Sequence, residues 1–128
     1  VWAGLTFEQL CKDHTAQIKK KLGIGGIASE TSSWFTKATD EHEGAQIDML
    51  IDRRDRIINV CEMKFSEHPF AIDKDCDLSL RNTIGTFKTA TKTRKACQLV
   101  MVTTYGVKQN MYSGIVQGEV TIDDLFES

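Results

Sequence analysis

Asp48, Glu62 and Lys64 are three charged residues set in otherwise apolar runs, within the stretch 44–65, GAQIDMLIDRRDRIINVCEMKF. Two carboxylates and an ammonium suit phosphodiester cleavage. That reaction is an in-line attack of water, and the protein must hold a cation at the phosphate, activate the water and offset growing negative charge. Mg²⁺ takes oxygen ligands and keeps several waters, so one or two carboxylates and a backbone carbonyl suffice. Asp48 and Glu62 offer the carboxylates. Lys64, two residues beyond Glu62 and so on the same strand face, reaches the water or the phosphate without competing for the cation. The plainer alternative is a Glu–Lys pair on a solvated strand end.

Whether the three groups meet depends on a hairpin. The stretch reads as two strands, 47–53 and 57–65, joined at Arg54-Asp55-Arg56. A two-residue turn pairs Arg53 with Arg56 and sets Asp48 against Cys61, its carboxylate facing away from Glu62. A three-residue connection pairs Arg53 with Ile57, sets Asp48 against Glu62 and gathers all three charges on one face. Both registers bury aliphatic residues on both faces, so hydrophobicity does not choose. Cost favours the three-residue connection, because charges split over both sides need two sets of partners whereas gathered charges share a cation. At such range at least one carboxylate is expected to have a raised pKa when no cation is bound, with Lys64 opposing the rise.

The elements that position these residues follow from periodicity. A helix is predicted over 2–22, with apolar Leu5, Leu10, Ile18 and Leu22 and with Phe7 and Cys11 beside them. Its closing lysines, 19–21, suit the negative end of the helix dipole. Gly23, Gly25 and Gly26 stop it; no helix opens after them and no Lys-Ser/Thr follows, so they are not a phosphate loop. A strand over 27–36 and a polar loop over 37–43 precede the hairpin, and Trp34 is expected in the core or at an edge. After the hairpin come a loop over 66–73 and a helix over 74–88 capped near Asp73, with apolar Cys76, Leu78, Leu80, Ile84 and Phe87. The apolar run 97–103 reads as a buried strand, parallel to a hairpin strand because a helix joins them. A short strand at 115–117 or 120–122 and an acidic turn over 123–127 close the chain. The order α-β-β-β-α-β is that of an α/β fold, a mixed central sheet flanked by helices.

At 128 residues, 41% apolar and 27% charged, the chain suits one soluble domain over 1–128. No apolar run approaches the roughly 20 residues of a membrane helix. Cys11, Cys61, Cys76 and Cys97 lie far apart without zinc spacing and read as reduced cysteines of a cytoplasmic protein. A net charge of −2 argues against a large nonspecific grip on nucleic acid, so any such contact is local. The opening at Val1, without methionine, reads as a piece of a longer protein.

Gly44-Ala45-Gln46-Ile47-Asp48 on one strand, Glu62-Met63-Lys64 on the next and Glu8 on the first helix together resemble the PD-(D/E)XK nuclease superfamily, over about 5–104. Within it the chain is similar to archaeal Holliday-junction resolvases and especially to the nuclease-like C-terminal domains of prokaryotic AAA-type ATPases. The resemblance implies a restriction-endonuclease-like core and Mg²⁺ or Mn²⁺ held by Asp48, Glu62 and the carbonyl of Met63. It also implies Lys64 at the nucleophilic water and Glu8 turned toward the metal. As partners it implies DNA and an ATPase domain of the parent chain, with no membrane; it allows a homodimer. Gln46 departs from the pattern, standing where many members carry an acid, so a second metal site is poorer by one carboxylate. The DNA-contact candidates are Arg81, Lys88, Lys92, Arg94 and Lys95, whose ordinary reading is a solvated basic face. Two functions stay open, a metal-dependent deoxyribonuclease gated by an ATPase and a non-catalytic docking or DNA-contact module of the same fold.

Overall fold

The β-rich runs assemble into one five-stranded sheet in a computed structural model that describes residues 2–127. Its strands, β1 (Ser29–Thr36), β2 (Ala45–Arg53), β3 (Ile57–Lys64), β4 (Ala96–Thr103) and β5 (Gly118–Thr121), lie side by side in chain order. β1, β2 and β3 are antiparallel neighbours, whereas β4 runs parallel to β3 and β5 parallel to β4. The helix between β3 and β4 makes the parallel step possible, as expected for a crossover connection. Among the described residues no helix is long and apolar enough to cross a membrane.

Helices cover both faces. α1 (Trp2–Asp13), α2 (Thr15–Lys21) and the short α4 (Ile122–Leu125) pack Phe7, Cys11, Ile18 and Leu125 against Met49, Ile51, Cys61, Met63, Val100 and Val102. On the other face α3 (Lys74–Thr91) sets Phe87 against Ile47, Leu50, Ile58 and Val60, and Leu80 against Leu99 and Met101. Asp73 caps α3, its side chain accepting the backbone N–H of Cys76 at 2.8 Å. Trp34 stands edge-on to Phe87, ring centroids 5.0 Å apart, which ties β1 to α3.

Several elements differ from the sequence reading. The predicted first helix is two helices, because His14 leaves helical geometry at φ −120°. Its buried stripe is Phe7, Cys11 and Ile18, while Leu5 points to solvent. Leu78, expected in the core, is 56% exposed, since the stripe of α3 that meets the sheet runs through Leu80, Ile84 and Phe87. Of the two sites offered for the last strand, 115–117 overlaps a 3₁₀ turn, Ser113–Ile115, and the strand lies at Gly118–Thr121. The acidic close is α4, stabilised by a capping box between Thr121 and Asp124.

Candidate active site

The hairpin takes the three-residue connection. Met49 opposes Cys61 and Asp52 opposes Ile58, a register that by continuation sets Arg53 against Ile57 and Asp48 against Glu62. Arg56 closes the turn in the left-handed region at φ 71°, the geometry of a three-residue hairpin loop. Arg53 holds the loop from inside the fold. Its buried guanidinium donates to both carboxylate oxygens of Asp55 and to Asn59 Oδ1, and the pair holds the Asp55 carboxyl below its usual range.

A second irregularity aims Asp48. Between β1 and β2 the register shifts, Ser32 opposing Leu50 but Trp34 opposing Ile47, so Asp48 and Met49 together face Ser33 across a β-bulge. Alternation therefore breaks at Asp48, and Ile47 and Leu50 share one core cluster although they are three residues apart. Cys61 and Met63 sit in the α1 core, which turns Glu62 and Lys64 to the α3 face. Asp48 does not join them on a flat face, as plain pairing implies. Its Oδ2 accepts the backbone N–H of Met63 at 3.0 Å, in the gap where the ladder of β2 and β3 ends. The N–H and C=O of one strand residue point to the same neighbour, so the Met63 carbonyl opens toward that gap as well.

Electrostatics load the cluster with unfavourable charge. Burial, then the nearby Asp48 carboxylate, pushes the Glu62 carboxyl up to about 7, with Lys64 opposing. Asp48 is raised too, chiefly by burial and then by Glu8, against the Met63 N–H and the charges of Lys64 and Lys12. The rise anticipated from like charges is therefore present, with desolvation as its main cause. Glu62 Oε1 is buried without a hydrogen-bond partner among the described residues, a state that costs about 1–3 kcal/mol unless a water or an ion meets it. The buried thiols of Cys11 and Cys61 are pushed up to about 12 and stay protonated, so neither is a nucleophile at neutral pH.

On the α1 side the cluster opens into a cleft of about 260 Å³ lined by Glu8, Lys12, Ser33, Trp34, Phe35, Gln46, Ile47 and Asp48. Glu8 thus shares a cavity with Asp48, but its carboxylate is held by Lys12 at 2.9 Å. Lys12 was not singled out by the sequence, although its place four residues after Glu8 on one helix face was the available signal. At the other side of the site the Thr104 hydroxyl donates to the Ser66 carbonyl and accepts the Ser66 N–H, tying the chain just past Lys64 to the end of β4.

The basic candidates gather elsewhere. Lys95 pairs with Asp52 and donates to the Arg53 carbonyl at the hairpin end of the sheet, and Ala96 stands beside Ile57. At about 3.3 Å per residue, that end lies roughly 20 Å from Lys64 along β3. Lys92 and Arg94 sit in the turn just before it, and Lys88 in the last turn of α3. Arg81 is paired with Asp77 at 3.1 Å on the outer side of α3. None of the five lines the cleft beside Asp48.

Among the described residues no group of three or more His, Cys, Asp and Glu side chains is placed to hold a metal ion. Asp48 lies near enough to raise the Glu62 carboxyl and is bonded to the Met63 N–H, and carboxylate and carbonyl oxygens are the donor type of a hard cation retaining several waters.

No family model matches the chain, and no curated protein does. Among solved structures it is similar to the crystal structure of a protein of unknown function, AF1548, at 16% identity and a TM-score of 0.55. That match covers 91% of this chain and 64% of the other, so this chain spans under two thirds of that one's length. The likeness is one of fold, an α/β arrangement.

Proposed function

We propose that the chain is a metal-dependent DNA phosphodiester hydrolase with a restriction-endonuclease-like core of the PD-(D/E)XK type. The observation that carries this reading is the pairing of Asp48, seated on the Met63 N–H, with Glu62, whose Oε1 is buried and unpartnered. Two raised carboxylates close enough for one to raise the other form a costly arrangement that a divalent cation relieves. Asp48, Glu62 and the Met63 carbonyl would hold Mg²⁺ or Mn²⁺, which supplies Lewis-acid polarisation of the phosphate. Lys64 orients the attacking water and offsets charge on the phosphate. Thr104 fixes the strand end that carries Lys64. Glu8, paired with Lys12, tunes the field at Asp48. In this reading DNA is the substrate, an attached ATPase domain regulates access and the four free cysteines suit a reducing cytoplasmic setting.

A second reading keeps the fold and drops the chemistry. Glu8 is neutralised by Lys12, and the basic residues at the hairpin end lie far from the carboxylates, as in a module that docks on an ATPase or touches DNA without cutting it. Isothermal calorimetry with Mn²⁺ and a nicking assay on plasmid and branched DNA, with ATP present where the parent chain carries an ATPase, decide between the two. Cation binding with cleavage supports the hydrolase. A protein that binds no cation and cuts no DNA leaves the docking module.

A further inference from the structure

The cleft beside Asp48 has a lining that suits a planar ring better than a phosphate. Its charged members are two carboxylates, Glu8 and Asp48, against the single ammonium of Lys12, and that ammonium is already paired with Glu8. With no cation on Asp48, a phosphate entering it meets net repulsion, and a cation there serves the scissile phosphate rather than this cleft. The remaining lining is aromatic or neutral, and Phe35 presents 68% of its surface to solvent. Ser33 and Gln46, both exposed, carry a hydroxyl and an amide able to bond a base edge. The volume, about 260 Å³, admits one ring system.

Exposed rings recur around this end of the sheet. Phe65 directly follows Lys64, is 45% exposed and leans on Phe7, ring centroids 6.1 Å apart, beside Glu8. Tyr105 follows the Thr104 clamp and is 59% exposed. Solvent-facing aromatics at a charged, polar site are the apparatus by which proteins hold unpaired bases. Each stacked base contributes without regard to sequence, whereas a duplex hides its base faces and offers phosphates instead.

Resting on the hydrolase reading above, we propose that this cleft seats an unpaired nucleobase against Phe35, so that the substrate is single-stranded or frayed DNA rather than continuous duplex. The strand then runs past the carboxylates with neighbouring bases near Phe65 and Tyr105. Few phosphates are gripped, so affinity falls only gently with salt, by a slope well short of the values for proteins that make 6–10 phosphate contacts.

Fluorescence anisotropy on the intact protein in Ca²⁺ tests this, with labelled oligo(dT) of about 12 nucleotides and a blunt duplex of the same length as probes. The single strand is expected to bind at least about tenfold tighter, and Phe35→Ala to weaken it by about 5- to 100-fold while Phe35→Trp retains it. Phe35 is exposed, so the substitution spares the core, and a thermal melt checks that. Duplex binding as tight as single-strand binding, or a Phe35→Ala protein that binds oligo(dT) normally, overturns the proposal. The hydrolase reading fails separately, if the wild-type protein cuts no DNA in Mn²⁺; the anisotropy result then still decides whether a base is seated.

Discussion

Asp48 and Met63 meet through one hydrogen bond, carboxylate oxygen to backbone N–H at 3.0 Å, at the point where β2 and β3 cease to pair. That contact seals the end of the ladder with a charged side chain. It keeps the Asp48 carboxylate beside Glu62 even though a bulge takes it off the regular alternation. Stability and chemistry therefore oppose each other at this spot, since the geometry that gathers donors also raises their pKa values.

Stability should fall with rising pH because of Glu62. Its folded carboxyl sits near 7 against an ordinary value of 4.5, so between those values the folded state holds a proton that the unfolded state has lost. The contribution is intact below about 4.5, declines as pH rises toward 7 and is fully lost above it, amounting to about 3 kcal/mol. Glu62→Gln removes the titration. Urea unfolding should find it more stable than wild type by about 2–3 kcal/mol at pH 8 and nearly equal at pH 4.5. Parallel stability curves for the two proteins across that range count against the assignment.

Asp48→Asn keeps an oxygen for the Met63 N–H while deleting the like charge. The Glu62 pKa should drop below about 7, yet remain above the ordinary carboxylate range because burial is its leading cause. Carboxyl-resolved NMR titration reads this directly. Calorimetry should show Mn²⁺ binding lost in the same variant, since Asn is a poorer ligand for a hard cation.

Lys64→Ala separates seating the cation from using it. Mn²⁺ binding should persist, because no ligand is removed, whereas cleavage should vanish for want of a group at the water. Lys64 also lowers both carboxylates, so the variant should show a Glu62 pKa above the wild-type value. Activity that survives Lys64→Ala removes the residue from the mechanism.

Arg56→Gly should stabilise the protein by about 0.5–1 kcal/mol, since glycine takes the left-handed conformation at φ 71° without the steric cost of a side chain. The backbone bond from the Ala96 N–H to the Arg56 carbonyl needs no side chain and should remain. A lower denaturation midpoint would indicate that the Arg56 side chain contributes more than the strain it carries.

The hairpin was legible because charge in apolar strands is expensive, and the cost of splitting Asp48 from Glu62 picked the register that the turn then realises. The cap at Asp73 and the parallel strand β4 were equally plain, each having a local signal. The bulge at Asp48 and Met49 was not. It depends on pairing with β1, whose run SETSS lacks the alternation that would fix a face. The break at His14 was hidden because the apolar spacing continues through it. Lys92, Arg94 and Lys95 could be offered as DNA contacts without a place relative to the carboxylates, because their position depends on the crossover; the parallel pairing of β4 with β3 sends them to the opposite end of β3.

The hairpin that carries Asp48 and Glu62 is local in sequence, whereas β4 reaches β3 only after the whole of α3 has crossed the sheet. Local pairing forms early and long crossovers late, because the larger loop must be closed before its contacts repay the entropy. The two carboxylates are thus brought together while still wet, and their water is stripped when the helices and β4 dock. The desolvation penalty of ionised Glu62 then falls on the last stage of folding, so raising pH from about 4.5 to 7 should hasten unfolding more than it slows folding.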